Sequence, residues 1–217
     1  MGAIARNIAN NITTSGVFTS SAITNSSVTG ITTLAGISDG ITLISSQTAS
    51  NSASINFTSG LTSTYKAYKF VFSNLHPRTD NVRLEFNLST DGGSNYNVTK
   101  TSTVFSAQHN EAGSATSLGY STSRDLAQST AYQALNGDGD TSSDADHGLN
   151  GSLILFNPSS TTYVKHFIIN NSYNEASDYA MNTFNAGYGN TTSAINAIRF
   201  QSASGNIDGT IYMYGIK

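Results

Sequence analysis

The chain has 217 residues, of which only 11% are charged; Ser, Thr and Asn together make up about 38%, and the formal net charge is −3. Abundant Thr, 11 Tyr and 10 Phe set against few Lys and Glu exclude a helical bundle and favour strands. The lack of Cys excludes disulfide scaffolds, thiol nucleophiles and Cys-ligated zinc. The acidic balance lacks the footprint of a nucleic-acid binder, and no apolar run reaches the ~18 residues that would span a membrane.

The chain starts Met1-Gly2-Ala3-Ile4-Ala5-Arg6. No basic region precedes a continuous apolar run, so no secretory signal is expected. Arg6 stands where a myristoylation pattern needs Ser or Thr. Residues 1–40 carry only two charges, Arg6 and Asp39, and one aromatic, Phe18. Lone aliphatics recur in a hydroxyl-rich background: Ile12, Val17, Ile23, Val28, Ile31, Leu34 and Ile37. Their spacing of three to six residues fits neither a helix nor a strand period. So short a segment cannot bury a core by itself. Two readings stay open, a floppy Ser/Thr linker and an extended segment held by partners. The second makes residues 1–40 an attachment and oligomerisation segment, with Ile12, Val17, Phe18, Ile23, Val28, Ile31 and Leu34 as its contacts. Fully extended, it would reach on the order of 130 Å.

From residue 41 the pattern becomes β. Short apolar strands are predicted at 41–44 and 53–57. Tyr68, Phe70 and Phe72 share one face of a strand over 65–72. Val82, Leu84, Phe86 and Leu88 alternate with Arg83, Glu85, Asn87 and Ser89, which predicts a half-buried strand with a solvated face. Asp91-Gly92-Gly93-Ser94 then reads as a hairpin turn, with 95–105 as the return strand. Residues 106–149 are the least regular, with weak strands expected near 117–123 and 130–135. A connection this long is expected to carry recognition.

The last third is strongly β, with strands at 151–156, 163–170, 179–188, 194–201 and 207–216. Asn157-Pro158 and Ser204-Gly205-Asn206 mark turns. Short strands at regular spacing indicate a sandwich or jelly roll. The expected fold is therefore all-β, an antiparallel jelly-roll-like β-sandwich head over 41–217 preceded by the extended segment. In the final strand Ile211 and Met213 lie on one face, and Tyr212, Tyr214 and Ile216 on the other. A strand apolar on both faces is buried on both. Tyr212, Tyr214 and Ile216 are thus expected to meet a neighbouring subunit.

Tyr68-Lys69-Phe70-Val71-Phe72-Ser73-Asn74-Leu75, then Leu84 to Ser89, then Asp91-Gly92-Gly93 resembles a run found in small β-rich bacteriophage virion proteins. The ending, Ser204-Gly205-Asn206 through Gly209-Thr210-Ile211 to Tyr214-Gly215, is similar to the terminal strand of that group. Such proteins are tail fibres, capsid fibres or decoration proteins. The resemblance covers roughly residues 41–105 and 150–217. It implies a jelly-roll-like head, a homotrimer and a place on the virion, assembled in the host bacterial cytoplasm, with no catalytic residues to carry over. Other virion proteins would be met through the N-terminal segment.

The candidate sites are few. Asp138, Asp140 and Ser142 have the alternate spacing of a calcium loop, but position twelve is Leu149 rather than Glu, and position six lacks Gly. Ca²⁺ at this acidic loop, 138–146, is the one cofactor the sequence offers; a solvated loop is the plain alternative. His76, His109, His147 and His166 show no metal-binding spacing, and His166 reads as a sheet residue. No Gly-x-Ser-x-Gly elbow or phosphate loop is present, so no enzyme is expected. Tyr120, Tyr132 and Tyr173 fall near predicted loops or strand ends, where a Tyr face can stack on a sugar. They are the residues of an alternative function, a lectin-like fibre tip recognising host surface glycan. A polysaccharide depolymerase is the third reading, because its acid pair would leave no fixed spacing.

Overall fold

A computed structural model describes residues 40–217. The chain divides into two units, Met1–Asp39 and Gly40–Lys217. The expectations for the contacts of the first 39 residues, Ile12, Val17, Phe18, Ile23, Val28, Ile31 and Leu34, lie outside the described residues.

Twelve strands and no helix make up the described part. One antiparallel sheet has eight strands, in the order β1 (Ile41–Ser52), β12 (Ile207–Ile216), β3 (Ala67–Pro77), β8 (Leu149–Phe156), β9 (Lys165–Glu175), β10 (Tyr179–Gly189), β5 (Lys100–Asn110) and β6 (Thr116–Tyr120). The second has four, in the order β2 (Ser54–Phe57), β11 (Ala197–Ser202), β4 (Leu84–Ser89) and β7 (Gln133–Ala134). Leaving out the inserted pairs β5–β6 and β9–β10, the order is β1-β12-β3-β8 facing β2-β11-β4-β7. That is the double Greek key of a jelly roll. The insertions widen one sheet from four strands to eight.

The two sheets meet through the inward residues of each strand. Tyr68, Phe70 and Phe72 of β3, Leu84, Phe86 and Leu88 of β4, and Ile211 and Met213 of β12 are all buried. Phe200 of β11 sits among four rings, with centroids 5.4 Å from Phe72, 5.5 Å from Phe70, 6.3 Å from Phe86 and 6.4 Å from Phe57. Such edge and tilted contacts add to the area each ring buries. β12 bulges between Asp208 and Thr210. Gly209 takes φ +114° there, and a Cβ would come within 2.4 Å of the Asn74 carbonyl oxygen. Only glycine fits that approach.

Two expectations fail, for one reason. Asp91-Gly92-Gly93-Ser94 is not a hairpin turn, because β4 belongs to the small sheet and β5 to the large one. The segment crosses between sheets, and its local hydrogen bonds only look like those of a hairpin. The second failure concerns Glu85, Asn87 and Ser89. They do not face solvent: Asn87 and Ser89 are 0% exposed and Glu85 is 6% exposed. The crossover and the segment before β7 lie over them, as bonds from Asn87 Nδ2 to the Tyr96 and Thr130 carbonyls show.

The crossover is fixed by Asp91. Its Oδ1 accepts from the Asn95 N–H at 2.9 Å and from Ser89 Oγ at 2.7 Å, and its Oδ2 accepts from Asn95 Nδ2 at 2.7 Å. The Asn95 backbone N–H, then the Ser89 hydroxyl and the Asn95 amide, hold the carboxyl down at about 2, against an ordinary 3.8. A depressed carboxyl contributes stability that is present above its unfolded value and is lost as pH falls through its folded value. The wild-type Tm should therefore fall more steeply than that of Asp91→Asn as pH drops from about 4 to about 2. Parallel slopes in thermal melts would refute the role.

Candidate interaction surface

The eight-stranded sheet buries one face on the core and turns the other outward. Which side chains share that outer face follows from the register. Along one row across the strands stand Leu43, Tyr214, Lys69, Ile154, Ile168 and Ala186. A second row carries Tyr212, Val71, Ser152, Asn170, then Phe184 and Phe105, ending at Tyr120. On the other side of the first row lie Ile41, Ile216, Phe156, His166 and Tyr188. Beyond the second row the face turns polar, with Thr48, Thr210, Ser172 and Asn182, before ending on β5 and β6 in Ala107 and the exposed Leu118.

Along these three rows Lys69 and His166 are the only ionisable side chains apart from tyrosines. Phe105 and Phe184 stack face to face, with centroids 5.4 Å apart and planes 8° apart, yet both are substantially exposed, as are Ile41, Leu43, Phe156 and Ile168. His166 leans on Tyr188 at 5.8 Å between centroids. Between these aromatic groups the small residues Thr101, Thr103, Ala186 and Gly187 leave a trough of ≈ 490 Å³. Seven strand spacings by three rows is about 34 Å by about 20 Å. A monomer's largest apolar patch is usually a few hundred Å², and a standard interface takes about 800 Å² from each partner. At roughly 680 Å² the outer face exceeds the first figure and approaches the second.

No protein-family model, curated protein or solved structure matches the chain.

Tyr212, Tyr214 and Ile216 lie where the β12 alternation places them, half-buried on this outer face, while Ile211 and Met213 are fully inside. Among the described residues only the Ile211 and Met213 face is covered, which leaves the Tyr212, Tyr214 and Ile216 face as the one a neighbouring subunit would meet. The rest of the outer face was missed. Each of its strands contributes only one or two apolar outward residues, and only the strand order assembles them. An outward Phe in β5 and another in β10 were the available signals.

The three tyrosines proposed for glycan separate. Tyr120 is exposed on β6, and its hydroxyl donates to Asp125 Oδ2 at 2.6 Å. Tyr132 is half-buried and lines a small cleft of ≈ 110 Å³ with Arg83 and Arg124. Tyr173 is not a surface residue. It is 3% exposed, points inward from β9, accepts from the Gly137 N–H at 3.1 Å and donates to the Gly139 carbonyl at 3.1 Å. Burial pushes its phenol well above the usual range. Its odd-numbered place in β9 puts it beside Phe167 and Ile169, so strand parity overrides its nearness to a loop.

The acidic loop is also built differently from a calcium loop. Asp138 Oδ1 accepts from the Ser121 hydroxyl and, at 3.2 Å, from that of Ser123. Asp140 pairs with Arg124 Nη2 at 2.8 Å, and Arg124 Nε donates to the Gly137 carbonyl. Ser142 is buried and its Oγ accepts from the Asp144 N–H. Oδ1 of Asp138, Oδ1 of Asp140 and the Ser142 hydroxyl are thus taken up by protein donors. The acids that do converge on a histidine are Asp144 and Asp178, around His147, with one ligand atom from each within 4.8 Å of the others. His166 is a sheet residue, as its alternation indicates, but on the outward side.

Proposed function

We propose that the chain is a structural protein of a bacteriophage particle, a homotrimeric short fibre or capsid-decorating spike. The observation that carries this reading is the outer face of the eight-stranded sheet, a nearly uncharged, largely apolar surface approaching interface size. Three such faces turned toward one axis bury each other in a closed assembly, which a heterologous open contact would not do. The work of such a protein is non-covalent contact, and no constellation of nucleophile, base and orienting group is needed for it. The runs that resemble those of virion proteins, Tyr68 to Leu75 and Ser204 to Ile216, support this reading. They lie on β3 and β12, which pair in the middle of the jelly roll.

The test has two parts. Light scattering on the full chain should give three times the 22.8 kDa chain mass; a monomer at micromolar concentration would overturn the trimer. Gold-labelled antibody against the head should then decorate phage particles at fibre or capsid positions. Unlabelled particles from cells making the protein would overturn the virion role.

A further inference from the structure

Three buried polar groups meet where the crossover returns to the large sheet. Lys100, the first residue of β5, is 0% exposed, and Asn87 of β4 is 0% exposed. The Lys100 Nζ lies 2.5 Å from Asn87 Oδ1 and donates also to the Val98 carbonyl at 2.8 Å. Asn87 is held on all sides. Its Nδ2 donates to the Tyr96 carbonyl at 2.7 Å and to the Thr130 carbonyl at 3.0 Å, and its Oδ1 accepts from the Leu88 N–H at 2.9 Å. Glu85, two residues earlier on the same buried side of β4, is the carboxylate whose charge the amine senses. It accepts from Arg83 Nε at 3.2 Å and from Gln201 Nε2 at 3.0 Å.

This arrangement is more than a buried cation with a partner. With a C=O bond of about 1.23 Å and a hydrogen bond no more bent than 90° at Oδ1, the Lys100 amine lies between about 2.8 and about 3.7 Å from Asn87 Cγ, a range that contains the near-attack separation of about 3–3.5 Å. Groups fixed at near-attack separation react as if at very high concentration. A lysine becomes a nucleophile when desolvation strips its proton. Burial holds Lys100 down at about 7, against an ordinary 10.5, although Glu85 pulls the other way. At neutral pH a large share of the side chain is therefore the free amine. The amide carbon is polarised by the Leu88 N–H on its oxygen, in the manner of an oxyanion-stabilising donor.

We propose that Lys100 and Asn87 join through an intramolecular amide that forms once the chain has folded. The Nζ attacks Cγ, and the negative charge that develops on Oδ1 is held by the Leu88 N–H. A proton passes from the attacking nitrogen to Nδ2, the Cγ–Nδ2 bond breaks, and ammonia leaves. One amide replaces another, with no oxidant or reductant, and escape of ammonia drives the exchange forward. The new bond staples the small sheet to the large one across the crossover that Asp91 organises. Such a staple suits a protein exposed to mechanical load, though the chemistry stands independently of the virion reading.

Intact-mass spectrometry of the purified full chain in denaturant tests this. The expected mass is about 17 Da, one ammonia, below the sum of its residues. Trypsin should no longer cut after Lys100, and a branched peptide should contain both Lys100 and Asn87. Lys100→Met and Asn87→Ala should return the full residue mass. Should either variant fail to fold, the wild-type peptide map still decides. A wild-type chain at full mass overturns the proposal. So does a 17 Da loss carried by a linear peptide, as a succinimide at Asn136-Gly137 or Asn150-Gly151 would give.

Discussion

Ile168→Lys should convert the assembly to monomers while leaving the head folded. Ile168 stands in the middle of the outer face, 45% exposed, with Ile154 and Ala186 as its cross-strand neighbours. Its side chain points away from the core, and surface changes of this kind usually alter stability by no more than about 0.5 kcal/mol. In the proposed trimer the same position would be desolvated. An ammonium there has no carboxylate to pair with, because the nearby rows carry only Lys69 and His166 as ionisable groups besides tyrosines. Burying an unpaired charge costs several kcal/mol. At about 1.4 kcal/mol per tenfold, the subunit dissociation constant should rise at least a hundredfold. Light scattering reads the mass and circular dichroism the fold. Ser172→Lys, on the polar part of the same sheet, is the control and should leave the mass unchanged. A trimeric Ile168→Lys protein would place the interface elsewhere.

Phe200→Ala should cost about 3–5 kcal/mol, the usual range for emptying an aromatic site in a core. The estimate belongs at the upper end. Phe200 is 1% exposed and touches rings from β2, β3 and β4, so its loss opens a cavity that no single neighbour can refill. For a domain of this size the Tm should drop by about 10 °C or more. Phe105→Ala removes a ring of the same size from the exposed stack on β5 and should shift the melting of a monomeric variant by far less. Equal losses at the two positions would mean that the sandwich core is not where the burial places it.

These two phenylalanines also show what is legible in a sequence. Phe200 lies between Arg199 and Gln201 and Phe105 between Val104 and Ser106, each an aromatic at one step of a strand alternation. Period-two alternation tells which residues share a face; it does not tell what lies against that face. For Phe200 the answer is the opposite sheet. For Phe105 no sheet among the described residues covers it. The same gap explains β4. Glu85 and Asn87 read as solvated because polar residues alternating with Leu and Phe normally are. Segments about ten and forty residues downstream fold over them. The Asp91-Gly92-Gly93-Ser94 turn was misjudged for a related reason, since a tight turn fixes the local path and leaves open which sheet the next strand joins. Tyr173 is near a loop in sequence, but its place in the β9 alternation turns it inward.

The sequence by itself determined the all-β class, the approximate position of the strands and the inward set of the core, because these depend on local sterics and on a repeat of two. It also located the outward side chains of β12, by the same alternation. Only the tertiary structure decided that two inserted hairpins widen one sheet to eight strands. It also gathered scattered outward residues into one apolar face and brought Lys100 against Asn87. Those outcomes rest on pairings between residues far apart in the chain. Their cost in loop entropy and their gain in burial are set by the whole fold, and no window of sequence contains them.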